Sequence, residues 1–273
     1  MSEPLVLTER RGAVLEITLN RPPVNAISRG LSQALCAAAR ELQDDPELRV
    51  GLLTAPGERV FCAGWDFTEA LQEKPEGGDA LGDDILEGHG PGGFGGITRA
   101  HWLLKPMIAA INGAAVGGGF EIALACDLIV VADHAWFQLP EMQRGFLPDV
   151  GGVQRLPRRL PYNVALDLLL TGRRFEAAEA VRWGLARSSH PAAELLPAAR
   201  ALAEEVADGA PLALQGLKEV LGAIEGLPIE AAMAFASAGR LDLPLYRRMM
   251  ASEDAREGPR AFLEKRKPAF TGR

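Results

Sequence analysis

The order of residues predicts an α/β fold. Short apolar runs that end in glycine alternate with amphipathic stretches of helical period, as expected where helices cover a sheet. From residue 160 onward, apolar residues recur at three- and four-residue spacing, so that part is mostly helical. With 273 residues, the chain can build one large domain, or a core with a smaller appendage.

Residues 5–10 and 13–19 read as two strands joined by a turn at Arg11-Gly12. A turn follows at Arg21-Pro22-Pro23. The stretch 28–42 is an amphipathic helix, with the hydroxyl of Ser28 placed to cap its first turn. Residues 50–54 form a short strand stopped by Pro56-Gly57, and Val60-Phe61-Cys62-Ala63-Gly64 repeats that pattern. The stretch 74–96 is glycine-rich and acidic, with few large apolar side chains, which predicts a mobile lid or a disordered insertion. Within it, Gly90-Pro91-Gly92-Gly93-Phe94-Gly95 matches a dinucleotide-binding glycine pattern. No strand precedes the match and a proline occupies its turn, so a Rossmann site is not expected. Residues 107–111 are a buried strand, and helices follow at 164–170, 177–183, 192–207 and 212–223. The last 70 residues hold no strand. A core over 1–195 and a helical subdomain over 196–273 are expected.

Composition excludes several functions. The formal charge of −7 disfavours wholesale nucleic-acid binding, which relies on basic surface. No apolar run of about 18 residues spans a bilayer, and the N-terminus lacks the pattern of a signal peptide. Cys36, Cys62 and Cys126 are widely spaced, as in a reducing compartment, so the cytoplasm is the expectation. His89, His101, His134 and His190 show no metal-ligand spacing, and no serine-nucleophile elbow is present.

The run Asn112-Gly113-Ala114-Ala115-Val116-Gly117-Gly118-Gly119-Phe120-Glu121 carries the most chemistry. Three glycines join a buried strand to an apolar helix and let a ligand approach the bare backbone. Unpaired N–H groups at the helix start favour a negative charge in front of them. Glu121, one turn inside, is placed to move a proton; otherwise it merely complements the helix dipole.

Phe61-Cys62-Ala63-Gly64-Trp65-Asp66, Lys105-Pro106-Met107-Ile108, the triple glycine with Glu121, Pro140-Glu141 and Gly151-Gly152-Val153-Gln154-Arg155-Leu156 together resemble the enoyl-CoA hydratase/isomerase (crotonase) superfamily. The resemblance extends to Ala261-Phe262-Leu263-Glu264-Lys265-Arg266 and covers nearly the whole chain. Local motifs such as Thr171-Gly172-Arg173-Arg174 and Ser252-Glu253-Asp254-Ala255 are similar to the carnitinyl-CoA dehydratase branch.

This resemblance implies a spiral of ββα units with a C-terminal helical subdomain that builds homotrimers or dimers of trimers. It implies an acyl-CoA substrate, which itself carries the coenzyme A, and no permanently bound cofactor, metal, nucleic acid or membrane. By matching positions, the backbone N–H groups of Trp65 and Gly118 would hold the thioester oxygen as it becomes an enolate. Glu121 and Glu141 would be the acid/base pair that adds or removes water across the α,β bond. Asp149 either shares the chemistry, as in dienoyl-CoA isomerases, or caps the helix beginning at Val150-Gly151. Val24, Ala63, Asp66, Phe262 and Lys265 would contact CoA, the last two from a neighbouring subunit if not from this one. Pro23 departs from the family pattern, which often has a lysine for the CoA phosphates there; Arg21 or Lys265 is the expected substitute. A trimethylammonium acyl group would favour an aromatic face, for which Trp65, Phe94, Trp102 and Trp136 are candidates against an ordinary packing role. A double-bond isomerase is the alternative activity. A binding protein on the same fold would instead show a basic stripe and a broken acid pair.

Overall fold

The computed structural model describes residues 3–72, 88–237 and 243–273. β1 (Val6–Arg11) and β2 (Val14–Leu19) form an antiparallel hairpin across Gly12. α1 (Arg29–Asp44) follows, and the Ser28 hydroxyl accepts the Leu31 N–H at 3.0 Å, the expected cap. Its buried Leu31, Leu35, Ala38, Ala39 and Leu42 recur at helical spacing and face the sheet.

The chain then repeats one unit. β3 (Val50–Thr54) leads to β4 (Val60–Cys62) and α2 (Phe67–Gln72). β5 (Met107–Ile111) leads to β6 (Ala114–Val116) and α3 (Gly118–Ala125). β7 (Leu128–Ala132) leads to β8 (Trp136–Gln138) and, past a short 3-10 turn at Glu141–Arg144, to α4 (Gly152–Arg159). Within each unit the first strand joins one sheet and the second joins another, so the chain advances as a spiral. After α5 (Tyr162–Thr171) come β9 (Phe175–Glu176), α6 (Ala177–Arg182) and β10 (Ser188–His190). The large sheet has order β1-β2-β3-β5-β7-β10 and the small one β4-β6-β8-β9. β2, β3, β5, β7 and β10 are mutually parallel, as are β4, β6 and β8. β3 and β5 are buried throughout, the mark of parallel strands covered on both faces.

α7 (Ala192–Ala207) is one of those covers. Leu195, Ala199, Leu202 and Ala203 are buried on a face that packs against β2, β3, β5, β7 and β10. Arg200 of α7 grips the buried Glu16 of β2 with two hydrogen bonds of 2.8 and 3.0 Å, which compensates the carboxylate for lost water. The expected division at 195/196 falls inside this helix, which packs on the sheet as one piece. α8 (Pro211–Ile224), α9 (Ile229–Ser237), α10 (Pro244–Ala251) and α11 (Asp254–Leu263) complete the chain.

Two sequence expectations change. Of the stretch 74–96, expected as a mobile lid or a disordered insertion, residues 74–87 lie outside the described residues, but its end at 89–96 is packed into the body. His89, Phe94, Gly95 and Gly96 are buried, and His89 Nδ1 lies 2.8 Å from the Ser32 hydroxyl of α1. The stretch between the predicted helices also holds β9 and β10, which are too short and too polar to show a strand period.

Candidate active site

Two turns bring the site together. After β4, Ile27 pairs with the backbone on either side of Trp65: its N–H donates to Gly64 O at 2.7 Å, and its carbonyl accepts Asp66 N–H at 3.0 Å. That pairing leaves the Trp65 N–H on the opposite side of the chain. At the start of α3, the Gly117 carbonyl accepts the N–H groups of Phe120 and Glu121 at 2.8 and 3.0 Å, while Gly118 N–H stays outside the helix ladder. Among the described residues, neither the Trp65 nor the Gly118 N–H donates to a protein acceptor.

Glycine is required where these turns meet. Gly64 has φ 90°, and a methyl there would sit 2.7 Å from Val116 O and 3.2 Å from Gly118 N. Gly117 has φ 53°, and a methyl there would lie 2.6 Å from Glu141 Oε1. Side chains are thus excluded where the backbone must be bare.

Trp65, Gly118, Glu121 and Glu141 line one small cavity, with Asp149 at its edge. Its volume is about 30 Å³, room enough to admit water. Glu121 is 2% exposed and Glu141 4%. Burial pushes Glu121 up to about 8, against the Gly152 N–H, and the charges of Glu141 and Asp149 push the same way. Burial pushes Glu141 up to about 7 with help from Asp149, while the positive charge of Arg144 pulls it down. Two carboxyls so placed hold a proton near neutral pH. Glu141 Oε2 is buried and has no hydrogen-bond partner among the described residues, an open acceptor that a water would satisfy.

Asp149 corrects one expectation. The N-cap of α4 is Gly151, and no side chain of α4's own approach caps it. The first N–H, of Gly152, donates instead to Glu121 Oε1 at 2.7 Å. The capping role expected of Asp149 is therefore filled by Glu121, from α3. Asp149 itself is exposed at the cavity edge.

The family model described as enoyl-CoA hydratase/isomerase matches residues 9–273. The chain belongs to the enoyl-CoA hydratase/isomerase family. It is 49% identical over 273 residues to the carnitinyl-CoA dehydratase of Proteus mirabilis, and 47% to that of Salmonella typhi, with all of each chain covered. The crystal structure of an enoyl-CoA hydratase from Mycobacterium tuberculosis H37Rv superposes with a TM-score of 0.87 at 36% identity, covering 99% of this chain and all of that one. The two-sheet spiral is thus the crotonase fold.

The family's CoA positions are only partly gathered here. Ala63 N–H donates to Val24 O at 3.0 Å, which aligns those two backbones beside the cavity. Asp66 is engaged already. Burial opposes its ionisation, but Arg21 at 2.5 Å and the N–H groups of Thr68 and Glu69 outweigh it and hold the carboxyl below its usual range. Arg21, the expected substitute for a lysine at Pro23, is spent on that pair and on Ala26 O. Phe262, 81% exposed on α11, and the exposed Lys265 do not line the cavity of their own chain.

The aromatic candidates separate cleanly. Trp102 is stacked by Arg40 at 3.4 Å and Trp136 by Arg174 at 4.4 Å, so each already has a cation on its face. Phe94 is buried against Gly118 and His89. Of the four, Trp65 is the one that meets phenylalanine rings at the cavity. Phe67 lies 5.4 Å from it and Phe146 6.3 Å, and the two phenylalanines are 6.1 Å apart. Phe67, Phe146 and Arg144 were not expected from the sequence; that Phe67 closely follows the turn at Gly64-Trp65 is the one local signal for it.

Proposed function

We propose that this enzyme adds and removes water across the α,β double bond of an enoyl-CoA thioester, with an acyl group of crotonobetainyl or carnitinyl type. One observation carries the reading furthest: two buried carboxyls with raised proton affinity share one small cavity with two unspent backbone N–H groups. In hydration, one carboxylate takes a proton from water as the oxygen bonds to Cβ. Electron density moves to the thioester oxygen, which the N–H groups of Trp65 and Gly118 hold as an enolate. The other, protonated carboxyl then delivers its proton to Cα, and dehydration runs the same steps backwards. Each fixed donor of this kind contributes about 10²–10³ in rate. The chemistry asks for no resident cofactor, since the substrate brings coenzyme A with it.

The acyl preference is supported by the relatives named carnitinyl-CoA dehydratase at 47–49% identity and by the aromatic group at Trp65, Phe67 and Phe146. Assembly as a homotrimer or dimer of trimers is supported by the exposed apolar side chains of Leu217, Leu221, Met233, Met250 and Phe262 on the C-terminal helices. Phe262 and Lys265 would then reach the CoA of a neighbouring copy. A cytoplasmic setting fits three buried, unpaired cysteines and the absence, among the described residues, of any helix long and apolar enough to cross a membrane.

Asp149, with its charge acting on both glutamates, keeps double-bond isomerisation as a second reading. Following the absorbance of the conjugated thioester with crotonyl-CoA and crotonobetainyl-CoA decides between them. Hydration lost in Glu121→Gln and Glu141→Gln and retained in Asp149→Asn supports the lyase. Dependence on Asp149 with either glutamate dispensable supports the isomerase.

A further inference from the structure

A second cavity, of about 710 Å³, opens between α4, α8 and residues 97–104. That size lies within the range of about 300–1,000 Å³ typical of small-molecule sites. Asp149 and Val150 line both this cavity and the active site.

The wall contributed by α4 carries Arg155, Arg158 and Arg159. On a helix these positions are neighbours, so their charges repel. Arg158 is paired with Glu225 at 3.4 Å, and the nearby Lys218 with Asp127 at 2.8 Å. Arg155 and Arg159, both half-buried, have no carboxylate within ion-pair distance among the described residues. Each is tethered by one Nη2, to Thr98 O at 2.6 Å and to Cys126 O at 2.5 Å. A guanidinium has five N–H donors, so most of theirs have no protein acceptor among the described residues. Burial lowers the proton affinity of both, and the charge of Arg159 lowers that of Arg155 further. Half-buried positive charge without a counter-ion is unfavourable unless an anion supplies it.

We propose that this cleft is a second ligand site, that it takes a phosphate-bearing small molecule, and that its occupant is felt at Glu121 through Arg155. The planar forks of two arginines match phosphate oxygens bidentately. The connection to the active site is short. The Arg155 guanidinium packs directly on Gly151, next to the Gly152 N–H that holds Glu121 Oε1. The groups facing Glu121 are Glu141 from the 3-10 turn, Asp149 with the N–H groups of Val150 and Gly152 from the approach to α4, and Arg155 from α4 itself. An anion on Arg155 offsets the one positive charge among them, and Glu121 then holds its proton to higher pH. This coupling rests on the catalytic reading of Glu121; the binding site does not.

Pyrophosphate titrated calorimetrically into the full chain, without substrate and at one fixed salt concentration, tests it. The expected result is one site per chain, weakened at least tenfold in Arg159→Gln and several-fold in Arg158→Gln, whose side chain is solvent-facing and leaves the tethers intact. With pyrophosphate bound, the limb of the hydration pH profile set by Glu121 should move upward. No binding, or binding indifferent to both substitutions, overturns the proposal. So does displacement of pyrophosphate by an acyl-CoA, which would give the cleft to the substrate's own phosphates. If hydration is absent while pyrophosphate binds as expected, the hydratase reading falls and the site stands.

Discussion

The Glu121 carboxylate caps a helix to which it does not belong: Oε1 accepts the N–H of Gly152, the first residue of α4, at 2.7 Å. One group thereby ties α3 to the first turn of α4 and has one of its own oxygens held in place. The bond also gives one oxygen of a nearly fully buried carboxyl a partner, as burial of a polar group requires.

Glu121→Gln and Glu121→Ala should therefore separate catalysis from architecture. The glutamine keeps an oxygen for Gly152, so its thermal unfolding should match the parent's below about pH 4.5, where the parent's carboxyl is protonated in both states, while hydration of crotonyl-CoA at neutral pH falls by about 10²–10⁴. The alanine loses the same activity and in addition about 1 kcal/mol of stability from the missing cap. Equal melting curves for the two variants would dissolve the capping role.

The raised proton affinities have a consequence for stability. Glu121 moves from 4.5 to about 8 on folding and Glu141 to about 7, so in that window the folded chain binds more protons than the unfolded one. Stability from this source is complete below 4.5 and is lost as pH rises through 7 and 8. A glutamine at 121 cannot ionise. The melting temperature of Glu121→Gln, compared with the parent, should improve steadily over that window, by the equivalent of roughly a few kcal/mol at its alkaline end. A difference that stays flat with pH would show that burial does not perturb this carboxyl.

Gly117 offers a test from the backbone. Its φ of 53°, and the 2.6 Å that would separate an added Cβ from Glu141 Oε1, leave no room for alanine. Gly117→Ala should cost about 1–3 kcal/mol of stability and displace Glu141, lowering kcat more than it raises KM. Urea unfolding and steady-state kinetics on the same preparation check both.

Local features of this kind were legible in the sequence. The Ser28 cap, the strands at 50–54 and 107–111, and the helix at 192–207 all stand where side-chain period and capping chemistry put them. Glu121 was legible because three glycines announce it. Glu141 was not: twenty residues and a change of sheet separate the two carboxyls, and only the family resemblance joined them. The Gly152 contact and Phe146 were hidden for the same reason, being long-range meetings that no local spacing encodes. β10, Ser188–His190, escaped because a polar three-residue edge strand carries no apolar alternation.

The aromatic group at Trp65, Phe67 and Phe146 makes the acyl preference measurable, and Arg144 sharpens the test. Its guanidinium lies 5.7 Å from the centre of the Phe67 ring, so a cation–π partner is already present on that side. A quaternary ammonium entering the group gains from the aromatic faces, by about 0.5–2 kcal/mol, and is opposed by the Arg144 charge. Phe67→Leu and Phe146→Leu should therefore lower kcat/KM for crotonobetainyl-CoA relative to crotonyl-CoA by several-fold. Arg144→Gln should raise that same ratio. Arg144 also pulls Glu141 downward, so its loss alters catalysis of both substrates, but that effect is common to them and cancels in the ratio. Opposite movements of the ratio in the phenylalanine and arginine variants are the signature of a cation in the pocket. Movement in the same direction would mean that these residues shape the cavity without reading charge.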